Sequence, residues 1–158
     1  MTAMTKRKGE TFEVGDDWLD GFIPYQLYRV SNRLNARLLG RLRAIGINAS
    51  QWRVLSVLRS CGTLSVSRIT DRTLMEQPTV SRVVNQLEQD GLVSRRPSKE
   101  DTRITDVTLT TKGNEAFQSI FPAARRHEES AMDGFSRAEI ATLKSLLARI
   151  EANIDLDG

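Results

Sequence analysis

Two apolar stripes with helical spacing lie at opposite ends of this 158-residue chain. The first recurs every three or four residues from Leu27 to Ile45, and the second does so from Ile140 to Ile154. Such spacing is typical of one buried face of a helix. A single chain of this length has little core left to cover both faces, which together would form an unusually large exposed apolar patch. The sequence therefore predicts a homodimer whose terminal helices pack together.

The limits of these terminal helices are marked by residues that favour helix ends. The first long helix is predicted from Pro24 to Ile45, because proline suits a first turn and Gly46 a position just past the end. The last helix begins at the capping box Ser136-Arg137-Ala138-Glu139. Residues 18–48 and 111–158 are accordingly predicted to be dimerisation helices.

The central segment contains three shorter helical patterns. Ser50 is the predicted N-cap of the first, which stops near Cys61-Gly62. A second short helix is predicted from Val66 to Thr73, followed by a turn at residues 74–77. Pro78 opens the third, and Asp90-Gly91 ends it, with glycine supplying a left-handed conformation.

Two extended pieces follow, Leu92 to Arg96 and Ile104 to Leu109, separated by a charged polar loop. In the second piece apolar and polar residues alternate, as in a half-buried strand. Two short helices joined by a tight turn and followed by a hairpin are the parts of a winged helix-turn-helix. The predicted fold is therefore mainly α with a small β-hairpin wing: one domain, residues 1–158, whose winged lobe spans residues 49–110.

The helix that opens at Pro78 begins with hydroxyls, an amide and an arginine. In helix-turn-helix proteins the second helix of the pair lies in the major groove, with its N-terminal residues against base edges. Small polar side chains permit close approach there, and arginine binds guanine bidentately or contacts a phosphate. The residues predicted to contact DNA from this helix are Gln77, Pro78, Thr79, Ser81 and Arg82.

The hairpin concentrates basic residues at its tip. Cations on a protruding loop suit a narrow minor groove or its phosphates, where negative potential is concentrated. Asp101 is expected to brace the guanidinium of Arg103, two residues away. The predicted wing contacts are Arg95, Arg96, Lys99, Asp101 and Arg103. An ordinary solvated turn is the alternative interpretation of the hairpin taken alone.

Charge does not by itself identify a DNA-binding protein here. The net charge is +3, which is compatible with a polyanionic partner but weak evidence for one. Between Ser65 and Lys112 basic and acidic residues nearly balance. Binding must therefore depend on where the cations lie.

Several motifs together resemble the MarR family of bacterial and archaeal regulators. They are Pro78-Thr79-Val80-Ser81-Arg82, Leu87-Glu88-Gln89-Asp90-Gly91-Leu92-Val93, Asp101-Thr102-Arg103 and Val107-Thr108-Leu109-Thr110-Thr111-Lys112-Gly113. The resemblance covers about residues 20 to 155. It implies a homodimer on a pseudo-palindromic double-stranded DNA operator in the cytosol, usually a repressor released by an aromatic acid or an oxidant.

The same resemblance implies an effector pocket between the dimer helices and the DNA-binding lobe. An aromatic shelf with nearby arginines suits an aromatic carboxylate, although core and hinge packing explains the same rings. The candidate lining residues are Trp18, Phe22, Tyr25, Arg29, Trp52 and Arg53. An oxidant-sensing regulator acting through Cys61 is an alternative, but Cys61 is expected to be a small buried side chain. A non-regulatory architectural DNA-binding protein is the other alternative.

Other classes of protein find little support. No phosphate-binding glycine loop or nucleophile elbow is present, so an enzyme is not expected. One cysteine and one histidine cannot supply the usual metal cluster, and we expect neither a metal nor a cofactor. No apolar run approaches the roughly 20 residues that span a bilayer. Residues 1–17 are polar and are expected to be a poorly ordered tail rather than a signal peptide.

Overall fold

Seven helices and three strands are present in the part of the chain that the computed structural model describes, Gly15 and residues 18–156. In chain order the elements are α1 Trp18–Gly21, α2 Ile23–Ala44, α3 Ala49–Cys61, β1 Leu64–Ser65, α4 Val66–Thr73, α5 Gln77–Gln89, β2 Val93–Pro97, β3 Thr105–Leu109, α6 Thr111–Ala131 and α7 Arg137–Leu156. The predicted mainly α fold with a small β-wing is confirmed. Apart from Gly15, the predicted tail lies outside the described residues.

Three local features differ from the sequence prediction. Asn48, not Ser50, is the N-cap of α3: its side chain accepts the N–H of Gln51, whose side chain accepts the N–H of Asn48, both at 2.9 Å. A separate one-turn helix, α1, precedes α2. A third strand, β1, pairs with the hairpin. It has only two residues, too few to produce a sequence pattern.

The sheet is antiparallel with the order β1-β3-β2. Val107 lies at its centre, opposite Leu64 on one side and Arg95 on the other, and it is fully buried. The sheet packs against a core to which the end of α2, the next three helices and α6 all contribute. Its largest fully buried side chains include Leu42, Leu55, Ile69, Leu87 and Val107.

The hairpin is fastened to α6 at its base. The hydroxyl of Thr110 donates to the carbonyl of Gly91 at 2.7 Å and accepts the N–H of Gly113 at 3.0 Å. Nζ of Lys112 donates to the carbonyl of Asp90 at 2.8 Å. Gly113 packs so closely that a Cβ there would lie 1.9 Å from the carbonyl oxygen of Leu92. These contacts orient the wing relative to the long helices.

The terminal helices leave apolar faces uncovered within one chain. In α2, Val30 is 55% exposed. None of the side chains described in α7 is buried, and five of its large apolar members, with Leu146 beside them, recur at alternating intervals of three and four residues. Those members are Ile140, Leu143, Leu147, Ile150 and Ile154. A helix with such a face derives its stability from packing against a partner.

Candidate nucleic-acid interface

The helix pair α4 and α5 presents one polar and one buried face. Of the predicted contacts on α5, Gln77, Pro78 and Arg82 are exposed, while Thr79 and Ser81 are half-buried. The opposite face consists of buried apolar residues, namely Val80, Val83, Val84 and Leu87. The core therefore holds α5 by one side and leaves its N-terminal polar side outward.

The start of α3 lies beside this polar side. A groove of about 330 Å³ is lined on one wall by Asn48, Ala49 and Ser50 and on the other by Thr79, Arg82, Val83 and Gln86. The sequence interpretation did not include the first turn of α3 in the interface. The sequence signal of this turn is a group of small residues at a helix start. Such residues are equally compatible with a helix cap and with a DNA contact.

Arg95 forms an ion pair with Glu88 of α5. Its Nε donates to Oε2 of Glu88 at 2.7 Å, and its backbone N–H also donates to that carboxylate. The side-chain hydrogen bond from Arg95 lowers the pKa of Glu88, although partial desolvation opposes the shift. The pair ties β2 to α5, since it joins residues of the two elements. Arg95 is thus held against the protein.

Replacing Glu88 by glutamine is expected to make the melting temperature fall less steeply as the pH is lowered. Because the folded-state pKa of Glu88 is lowered from 4.5, the pair stabilises the fold above that pH. The contribution disappears as pH falls through the lowered pKa. Melting temperatures from about pH 6 to about pH 3 measure the effect. Glu115→Gln is the control, since Glu115 forms no ion pair among the described residues. If the melting temperatures of the wild type and of Glu88→Gln depend on pH with the same slope, the expectation is refuted.

Asp101 organises the wing loop through the backbone. Its Oδ1 accepts the backbone N–H of Arg103 at 2.9 Å, and its carbonyl accepts the N–H of Ile104. The prediction that Asp101 braces the guanidinium of Arg103 is therefore wrong. An aspartate accepting from the residue two positions ahead forms an Asx-turn, which here shapes the loop that carries Arg103. Arg103 itself is exposed.

Two predicted wing cations share a groove with an arginine that sequence reasoning missed. The groove, about 690 Å³, lies between the start of α4 and the outer face of the sheet. Arg96 and Lys99 line it from the wing, and Arg68 lines it from α4. The acidic side chains of Glu100 and Asp106 also line it. Arg68 was missed because no local pattern places the first turn of α4 beside a hairpin about 30 residues further on.

The six predicted effector residues fall into two groups. Trp18 and Phe22 pack with ring centroids 5.3 Å apart. Arg29 pairs with Asp20 at 3.1 Å and lies over the ring of Tyr25 at 5.7 Å.

The second group lies on α3. Trp52 stacks on Phe117 with ring centroids 5.0 Å apart. Arg53 donates from Nη1 to the carbonyl of Thr73 at 3.4 Å. Within the described part of one chain, no ring pair or hydrogen bond joins this group to the N-terminal one.

Cys61 is exposed at the end of α3, so the expectation that it is buried is wrong. Gly62, the C-cap of α3, follows directly and has a φ of 77°. A helix end at the surface leaves the last side chain facing solvent. Among the described residues, no helix is both long and apolar enough to cross a membrane.

Known sequences resemble this chain along most of its length. A sequence model of the MarR family matches residues 45–104, from the end of α2 into the wing loop. The HTH-type transcriptional repressor IacR of Pseudomonas putida is 28% identical over 83% of this chain and 78% of its own length. The HTH-type transcriptional regulator YdgJ of Bacillus subtilis (strain 168) is 32% identical over 84% of this chain and 79% of its own length.

Solved structures extend the likeness to the terminal helices. A MarR-family transcriptional regulator from Silicibacter pomeroyi superimposes with a TM-score of 0.82 at 28% identity, covering 90% of this chain and 97% of that one. BpsR of Bordetella bronchiseptica, whose DNA binding is regulated by 6-hydroxynicotinic acid, has a TM-score of 0.72 at 26% identity, covering 82% and 93%. Sequence and fold agree that this chain belongs to the MarR family, whose members are DNA-binding transcriptional regulators and not enzymes.

Proposed function

We propose that this protein is a repressor that binds a pseudo-palindromic DNA operator as a homodimer and is released by a small aromatic acid. The observation that carries the DNA-binding part is the two-sided character of α5. Its apolar side is locked in the core while its N-terminal polar side faces outward. A helix held in this way can enter a major groove without disturbing the fold.

Sequence discrimination is assigned to the first turns of α5. Arg82 is exposed and carries a planar fork of donors that matches the O6 and N7 acceptors of guanine. Gln77 can pair with adenine, and the hydroxyls of Thr79 and Ser81 accept or donate to either base type. Pro78, which has no N–H, presents an apolar surface.

The wing is assigned to the phosphate backbone and the adjacent minor groove. Arg96, Lys99 and Arg103 supply the cations, and the Asx-turn at Asp101 supports the loop that presents them. Arg95 has a supporting role in this proposal, because its guanidinium is paired with Glu88. Contacts of this kind add affinity that falls as salt rises.

The dimer is proposed from the uncovered apolar faces of the terminal helices. A seam of residues at alternating intervals of three and four is suited to packing against another helix. A two-fold axis would place one recognition helix in each half-site, about 34 Å apart along the DNA. The two halves of the operator would then be related by the same symmetry.

The effector is proposed from chemistry and from one relative. Trp18 and Phe22 are exposed, and Arg29 lies over the ring of the half-buried Tyr25. An aromatic acid needs both a ring surface and a cation. Formation of the dimer is what would bring this group towards Trp52 and Arg53. BpsR, which responds to an aromatic acid, supports the ligand class, and IacR supports repression.

Two variants test the assignment of α5 and the wing after an operator has been selected from random DNA. Arg82→Ala is expected to lose about 1–3 kcal/mol at one base pair and to relax specificity there. Arg103→Ala is expected to weaken operator and random DNA alike and to reduce the salt slope by about one unit.

Fluorescence anisotropy at several salt concentrations measures both effects. Arg137→Ala, at the start of α7, is the control for losing a cation outside the proposed interface. Equal losses on operator and random DNA for both interface variants would exclude α5 as the specific element. Failure to select any preferred sequence would favour the architectural alternative.

A further inference from the structure

Leu74, in the turn between α4 and α5, has two unfavourable properties at once. It has a φ of 53°, the only positive φ of a non-glycine residue in the described part of the chain. It is also 88% exposed, more than any other large apolar side chain described. Glycine adopts this left-handed conformation at no steric cost, whereas leucine does not.

The conformation of this turn is held from several sides. The N–H of Leu74 donates to the carbonyl of Thr70 at 3.0 Å. The hydroxyl of the buried Thr73 donates to the carbonyl of Ile69 at 2.7 Å. Arg53 reaches across from α3 to the carbonyl of Thr73. Leu74 is therefore presented outward by a supported backbone.

No contact recorded among the described residues compensates for an exposed leucine in this conformation. A strained residue whose side chain does not serve packing is a candidate for a functional contact. Met75, the next residue, packs against the core, so the turn already has its apolar anchor. At 88% exposure the side chain of Leu74 adds little to the core.

The surroundings of Leu74 favour DNA as its partner. Leu74 lies three residues before Gln77, where the recognition helix begins. Arg53 reaches the turn from α3, and Arg72 is exposed two residues before Leu74. An exposed apolar side chain on a turn that carries one arginine and is contacted by another suits a groove edge, where phosphates flank the one apolar group that a base pair offers, the C5-methyl of thymine.

We propose that Leu74 contacts a thymine methyl group at the edge of each half-site and so helps to determine operator preference. This inference rests on the proposed function, since it requires a specific operator. The contact is apolar, and it supplements the polar contacts proposed for α5. Such a contact distinguishes thymine from uracil, which has the same Watson–Crick edge but lacks the methyl.

The test starts with an operator selected by the wild-type protein and then replaces each thymine, one at a time, by deoxyuridine. At one position per half-site the wild type is expected to lose about fourfold in affinity, the value of burying one methyl group. Leu74→Asn is expected to bind the thymine operator about fourfold more weakly and to be insensitive to that replacement. Leu74→Met keeps an apolar side chain and should remain sensitive.

A stability measurement separates this contact from a structural role. Asparagine tolerates the left-handed conformation, so Leu74→Asn is expected to raise the melting temperature by about 2–4 °C while it weakens binding. If Leu74→Asn binds the operator as the wild type does, or if it retains the same sensitivity to uracil, the inference is wrong and a protein partner becomes the better explanation. Failure of the wild type to select an operator would instead overturn the proposed function.

Discussion

Gly113→Ala is expected to destabilise the folded protein by about 3 kcal/mol, at the upper end of the usual cost of overpacking. The added methyl would lie 1.9 Å from the carbonyl oxygen of Leu92 and 3.3 Å from Cδ2 of Leu109. The nearest obstacle is backbone in the hairpin base, which cannot rotate away. Alanine favours a helix over glycine by about 1 kcal/mol, so the overlap outweighs the gain.

Gly40→Ala provides the matched control. Gly40 also lies inside a helix, α2, but nothing in the described structure comes within 4 Å of a Cβ there. That variant is expected to gain about 1 kcal/mol, because only the helix preference changes. Urea unfolding at one fixed protein concentration compares the two. Gly113→Ala should unfold at roughly 1–2 M less urea than the wild type. If Gly113→Ala and Gly40→Ala unfold at the same urea concentration, the hairpin base moves to accommodate the methyl group without cost.

Leu147→Glu is expected to produce monomers and to weaken operator binding by about 100-fold or more. Leu147 is the middle member of the apolar seam of α7 and is 41% exposed in one chain. Burying a carboxylate between two helices is costly. A monomer also loses the gain of binding two half-sites at once, which is about 10²- to 10⁴-fold for linked modules.

Ser145→Glu adds the same charge to α7 two residues away, off the seam. It is expected to remain dimeric and to bind as the wild type does. Light scattering coupled to gel filtration gives the mass of each variant, and anisotropy gives its affinity. A Leu147→Glu protein that is still dimeric and binds tightly would place the subunit contact elsewhere.

Local pattern was enough to predict most of the helices. α4 was predicted from Val66 to Thr73 and is found there. The capping box at Ser136 and Glu139 is present, with the N–H of Ser136 donating to Glu139 at 2.8 Å and the N–H of Glu139 donating to Ser136 at 3.2 Å. These features depend on residues within a few positions of one another. Periodicity and capping report such interactions directly.

The polar and buried sides of α5 were also predicted correctly, because they follow from helical spacing. The roles of individual wing residues were not. Asp101 acts on the backbone rather than on the guanidinium of Arg103. Arg95 forms an ion pair with Glu88, which lies seven residues earlier on another element. Several acceptors compete for each arginine, and a linear sequence does not rank them.

Sequence alone thus determined the order of elements apart from α1 and β1, the polar and buried sides of α5, and the need to cover two apolar faces, since each of these depends on short-range periodicity. Tertiary structure decided which cations remain outward, that Gly113 has no room for a side chain, and that Leu74 is held outward in a left-handed turn. Those properties arise where distant segments meet: α6 on the hairpin base, β2 on α5, and α3 on the turn before α5. Their cause is close packing and competition for partners in three dimensions.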